Sequence, residues 1–364
     1  MKMNASPLRH LASVAAISAM MLVEASAQTT TATTVPVGFM TVSVPAAASG
    51  TSPSNAVMAI PLYNTADFAG PVASVDDDTH FTLTGASFGT GGNGLTPVIS
   101  TANPRLVRVK TSATASHVGQ YFVVVGSGTN GSQLQVTNPY GGSPTLTNGN
   151  SVSVGDTCEV LPANTLANLF GPNSAGATSV FASGSFFLTG TTASAADNVL
   201  LWNGTTWVIY YNNNTNWKAS GSLSNQNNTV IYPDEGLFII HRDTVNALNL
   251  TLSGTAPSTA EYTNLAGAGS TFIPNRFPTD TTLLASGIQN TPGWKTGASA
   301  SAADNVFIWT GTTWAIYYFN GTNWKKSGSL SIQDSTPITA GTSVFITKAN
   351  AGTALIQALP YSLN

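Results

Sequence analysis

Apolar and polar residues alternate in short runs along most of this chain, and the runs are broken by Gly, Asn and Asp. The clearest case is Ala195–Ser224, AADNVLLWNGTTWVIYYNNNTNWKASGSLS. Val199–Trp202 is an apolar run, Asn203-Gly204 a turn pair, and Thr205–Tyr211 a β-branched and aromatic return strand. A two-residue loop at Asn203-Gly204 predicts that Trp202 faces Thr205 and Leu200 faces Trp207. Period two then puts Trp207, Ile209 and Tyr211 on one face and Val208 and Tyr210 on the other. Asn212–Asn214 is a second turn, and Asn216-Trp217-Lys218 begins a third strand.

The same unit returns as Ala302–Ser331, AADNVFIWTGTTWAIYYFNGTNWKKSGSLS, identical at 23 of 30 positions and displaced by 107 residues. A fixed internal period sets the architecture. The register continues without gaps, so that Gly236–Ile240 aligns with Ser343–Thr347 and Ala247-Leu248 with Ala354-Leu355.

Upstream, short strands are expected at Gly38–Val44, Ala56–Leu62, Val72–Val75, His80–Thr84, Leu106–Lys110, Tyr121–Val125, Gln133–Val136, Ser151–Val154 and Cys158–Leu161. Leu166, Leu169 and Phe170 have helical spacing before Gly171, which predicts a short helical turn near 163–170. The expected fold is all-β: an N-terminal barrel or sandwich (36–165), then two tandem β-sandwich-like repeats (166–262 and 263–364). Residues 1–27 read as a signal peptide, with Lys2 and Arg9 before an apolar Leu11–Val23 and an Ala25-Ser26-Ala27 cleavage site. Residues 28–35 read as a flexible Thr-rich leader. No second long apolar run follows, so no integral membrane segment is expected after cleavage.

Composition agrees with export. Only 7% of residues are charged, against about 25% in ordinary soluble domains. The net charge of −3 lacks the basic footprint that nucleic acid requires. The single Cys158 excludes an intrachain disulfide, and its strand phase places it beside Val160 as a core residue. Asp76-Asp77-Asp78 with His80 is the one acidic cluster; it reads as a solvated turn, with Ca²⁺ binding the alternative. Asp197 and Asp304 recur with the whole unit and read as fold requirements. Asp234-Glu235, beside Pro233 and Gly236, reads as a solvated loop without a counterpart in the second copy. No metal motif or nucleophile elbow is present, which points away from an enzyme.

The repeated Trp and Tyr residues are the remaining chemistry. Most belong in the core and in cross-strand pairs, whereas Tyr210, Trp217, Tyr317 and Trp324 are candidates for stacking on sugar rings. Taken with Gly38–Val44 and Pro45, Phe68–Val75, Val154–Thr157, Leu161-Pro162 and Thr165–Phe170, the duplicated unit resembles a family of uncharacterised exported bacterial proteins best populated in Verrucomicrobia. That resemblance covers nearly the whole chain and implies a secreted or surface β-protein without an assigned activity. The expected role is non-enzymatic, structural or adhesive, at the cell surface or outside the cell. Partners would be an extracellular glycan, the cell envelope, or other copies through sheet edges. A glycan-binding module and a secreted hydrolase with a spatially assembled site are the alternatives.

Overall fold

The computed structural model describes residues 37–89, 97–128, 131–137, 146, 151–171 and 187–362. The expected signal peptide and leader lie outside the described residues. The fold is all-β, with one α-helix of five residues, Leu166–Phe170, among the described elements. Thr165 caps it: its side chain accepts from the Asn168 N–H while the Asn168 side chain accepts from the Thr165 N–H.

Each copy of the repeated unit builds a five-stranded antiparallel sheet. In the first, the order is Trp217–Ala219, Trp207–Asn212, Asn198–Trp202, Leu237–His241, Ser54–Met58. In the second it is Trp324–Lys326, Trp314–Phe319, Asn305–Trp309, Ser343–Lys348, Gly269–Pro274. A two-stranded ribbon accompanies each sheet: Val37–Val44 with Leu248–Thr255, and Glu261–Leu265 with Thr353–Gln357. Val44, Leu248 and Leu250 from the first ribbon share a core with Val199, Leu201, Leu237 and Ile239 from the first sheet. Sheet and ribbon therefore form a sandwich.

The first copy is interrupted. Its opening strands, Val37–Val44 and Ser54–Met58, lie at the N-terminus and pair with Leu248–Thr255 and Leu237–His241. Between them and the rest of the copy, the chain closes a six-stranded barrel in the order Phe68–Val75, His80–Leu83, Gln133–Thr137, Tyr121–Ser127, Arg105–Thr111, Thr157–Pro162. Residues 36–165, expected as one domain, thus divide between a barrel and the first sandwich. The Ser151–Val154 segment is not a strand. Phe81, Leu83, Val107, Val109, Phe122 and Leu134 fill the barrel together with Cys158, whose thiol is fully buried. Burial raises the pKa of that thiol.

The hairpin register differs from expectation by two residues. Trp202 pairs with Trp207 and Leu200 with Ile209. The loop has four residues because the Asn203 side chain accepts from the Thr205 and Thr206 N–H groups while Gly204 takes φ +97°. A shift of two leaves every side chain on its expected face.

The two copies meet face to face through that aromatic side. Trp202 contacts Phe345 at 5.1 Å, and its counterpart Trp309 contacts Phe238, the counterpart of Phe345, at 5.3 Å. Trp207 lies 5.4 Å from Phe345, and Trp314 lies 6.3 Å from Phe238. Reciprocal contacts of this kind are those of a two-fold interface, formed here within one chain. The outer edges of the two sheets are three-residue strands, Trp217–Ala219 and Trp324–Lys326, too short to offer a long pairing template.

The barrel docks on both copies around one carboxylate. Glu261 is fully buried and binds Arg108 of the barrel, Arg276 of the second copy, and the hydroxyl of Tyr63, which donates at 2.6 Å. The Arg108 guanidinium also stacks over the Tyr63 ring at 4.8 Å. A buried carboxylate is tolerated when several donors satisfy it, and here those donors come from three parts of the chain.

Candidate functional site

The repeated aspartates are structural. Asp197 accepts from the Leu188 N–H at 2.8 Å and the Arg242 N–H at 2.6 Å; Asp304 accepts from the Lys295 and Ala349 N–H groups at 2.9 and 2.8 Å. Both are buried, and each faces a cation at equivalent positions, His241 in one copy and Lys348 in the other. The His241 nitrogens point at the Asp197 carboxylate and the Asn246 carbonyl, both at 2.8 Å, so both nitrogens carry protons. Burial alone would lower the His241 pKa, but these acceptors outweigh it and hold the pKa above its usual value.

Asp76 and Asp77 shape a hairpin turn. Asp76 accepts from Ser74, Thr82 and Gln133, and Asp77 accepts from the Thr79 N–H and contacts His80 at 2.9 Å. The Thr79 N–H and the His80 ring lower the Asp77 pKa to about 2. Among the described residues no three His, Cys, Asp or Glu side chains, Asp78 included, are placed to hold a metal ion. A buried His117 lies 3.3 Å from Asp156 and 3.4 Å from Ser112, but both contacts use Nδ1. A nucleophile–base–acid relay needs both ring nitrogens, so this is not a catalytic triad.

Two of the four aromatic candidates are closed to any ligand in this structure. Trp217 and Trp324 have no exposed surface. Trp217 packs between Phe170 and Phe187 and donates to the Gly171 carbonyl at 2.7 Å. Trp324 packs on Trp294 and Phe319. They are core residues because the third strand of each unit turns its first side chain under the sheet. Tyr317 is buried in the second core. Tyr210 alone lines a cleft.

That cleft has a volume of about 530 Å³, within the usual range for small-ligand sites. Trp202, Val208 and Tyr210 come from the first sheet, Tyr232, Asp234 and Glu235 from the connection before Leu237–His241, and Asn264, Ser270 and Phe272 from the second copy. Trp202 is fixed by its Nε1–H, which donates to the Ser270 carbonyl at 2.9 Å.

Asp234 and Glu235 are the cleft residues the sequence reading missed. They form no solvated loop. Asp234 is buried, accepts from the barrel's Tyr121 hydroxyl at 2.5 Å and faces the Asn264 N–H at 3.4 Å. Glu235 is half-buried and accepts from the Tyr232 N–H at 3.3 Å. Burial pushes its carboxyl up to about 8; the Tyr232 N–H opposes that rise and the Asp234 charge reinforces it. Burial and the Glu235 charge also raise the pKa of Tyr210 and of Tyr232. The available signal was the mismatch between copies: the second has Gly341-Thr342 where the first has Asp234-Glu235. Gly341 holds φ +75°, and Met40 and Val42 press so closely on it that a side chain there would collide.

No described helix is long and apolar enough to cross a membrane. Set against protein-family models, curated proteins and solved structures, the chain matches none of them.

Proposed function

We propose that this chain is an exported, non-enzymatic adhesion protein of the cell surface or extracellular space, and that it grips a glycan in the cleft beside Tyr210. The observation that carries this reading is the asymmetry between the copies. Two units with one fold pack as a near-symmetric pair, yet only the first sets two carboxylates and an added tyrosine, Tyr232, around a cleft. Thr339 stands at the equivalent position in the second copy. Side-by-side acids away from bulk water destabilise a fold. Asp234 is offset by the Tyr121 hydroxyl and the Asn264 N–H, whereas Glu235 receives one backbone N–H and has no carboxylate counterpart in the second copy. Aromatic rings beside Asn203, Asn264 and Thr229 supply the stacking faces and hydrogen-bonding groups that suit sugars.

The test is a panel of soluble polysaccharides titrated against the full chain by calorimetry. Tyr210→Ala is expected to abolish binding, with a smaller loss of stability than Tyr317→Ala because Tyr210 is only partly buried against the first core. Tyr317→Ala, its counterpart in the other core, is expected to lower stability and leave affinity unchanged. Equal affinity in the wild type and Tyr210→Ala would sink the assignment.

A further inference from the structure

We propose that the cleft selects a glycan bearing a protonated amine, an amino-sugar oligomer, with the ammonium group seated between Glu235 and the Tyr210 and Tyr232 rings. This rests on the glycan reading and narrows it to one ligand class.

Charge comes first. Of the residues lining the cleft, the only ionised or ionisable acids and bases apart from tyrosines are Asp234 and Glu235, and none is Lys, Arg or His. Among the described residues no cationic side chain comes within ion-pair distance of Glu235; it receives one backbone N–H. Asp234 is already held by Tyr121, which leaves Glu235 as the group with oxygen lone pairs to offer. A half-buried carboxyl forced towards its neutral form is one that a fitting cation would return to its charged form.

The walls give a second, independent argument. Tyr210, Tyr232 and Glu235 line the same cleft, so the two side chains and that carboxyl share one neighbourhood. Aromatic faces attract an ammonium group through the ring quadrupole, and the attraction strengthens as water is excluded. Carboxylate and aromatic faces together favour an amine over a hydroxyl at the same position. The second copy supports this by contrast: there Met40 and Val42 fill the space beside Gly341, and Gly341-Thr342 replaces the two carboxylates.

The test uses the full chain with three β-1,4 tetramers, of glucosamine, N-acetylglucosamine and glucose, followed by calorimetry at pH 6, where the free amine is protonated. The glucosamine tetramer is expected to bind at least about tenfold more tightly than the other two, as a charge-assisted contact implies. Glu235→Gln is expected to erase that advantage while leaving residual binding to all three. Glu235→Thr, which installs the residue of the second copy, should do the same. Equal affinity for the three tetramers would overturn the amine preference and leave the glycan reading standing. Binding of none of them, nor of any polysaccharide in the wider panel, would overturn both. An amine preference that survives in both Glu235 variants would place the cation elsewhere and overturn the role given to Glu235.

Discussion

Phe345→Ala tests the face-to-face packing of the two copies. The Phe345 ring lies 5.1 Å from Trp202 and 5.4 Å from Trp207 across the seam, and 4.7 Å from Phe272 and 5.3 Å from Trp314 on its own side. Truncation removes a half-buried aromatic side chain, at a cost of about 1.5 kcal/mol in lost apolar burial. It also removes two ring pairs across the seam, each worth about 0.5–1.5 kcal/mol beyond burial. The expected loss is about 3 kcal/mol. Phe238→Ala, the equivalent change in the first copy, breaks longer contacts at 5.3 and 6.3 Å across the seam and should cost less. The assay is urea denaturation followed by Trp emission. All seven tryptophans lie in the two copies and none in the barrel, so the signal reports on the packed pair. A double-mutant cycle between Phe345→Leu and Trp202→Leu should return a coupling of about 1 kcal/mol. A loss below about 0.5 kcal/mol for Phe345→Ala, the range of surface substitutions, would refute the packing argument.

Four further outcomes follow from the same structure. His241 has a raised pKa when folded, so its stabilisation is complete below the unfolded value near 6.5 and fades as pH rises through the folded value; the stability gap between wild type and His241→Gln should therefore shrink between pH 6 and pH 9, and a gap that widens would contradict the pairing with Asp197. Asn214 holds φ +76° where its counterpart Gly321 holds φ +98°, so Asn214→Gly should be neutral or stabilising by a few tenths of a kcal/mol and Gly321→Ala destabilising by about 1 kcal/mol, read from denaturation midpoints. Trp217→Ala should cost about 3–5 kcal/mol as a core deletion, whereas a change in ligand affinity without that loss would return Trp217 to the binding surface. The Cys158 thiol, buried with a raised pKa, should resist a thiol reagent until the barrel is unfolded.

Much of the local structure was legible. Period two put Trp207, Ile209 and Tyr211 on one face, and the structure keeps them there even though the hairpin loop is two residues longer than Asn203-Gly204 alone implied. The helix-forming spacing of Leu166, Leu169 and Phe170 was also readable, because its cap and its stop are local. What could not be read was long-range pairing. Nothing in Val37–Val44 announces a partner more than 200 residues away, so the barrel's insertion into the first copy was invisible. The same limit hid the site. Pro233-Asp234-Glu235-Gly236 has the composition of an exposed turn, and its burial depends on Tyr121 from the barrel and Asn264 from the second copy. Trp217 and Tyr210, both aromatic and both recurring, share the core-facing side of the sheet; Trp217 is enclosed by Phe170 and Phe187, whereas Tyr210 is half-buried against that core and reaches the cleft.

The measurement that bears most directly on the account is to give the first copy the letters of the second, Asp234→Gly with Glu235→Thr, and to compare glycan affinity with the wild type in the same calorimeter. The account predicts that the double variant keeps the native Trp emission and loses at least tenfold in affinity for the tightest glycan. Unchanged affinity in a folded double variant would contradict it, because the cleft would then not be where this chain meets its ligand.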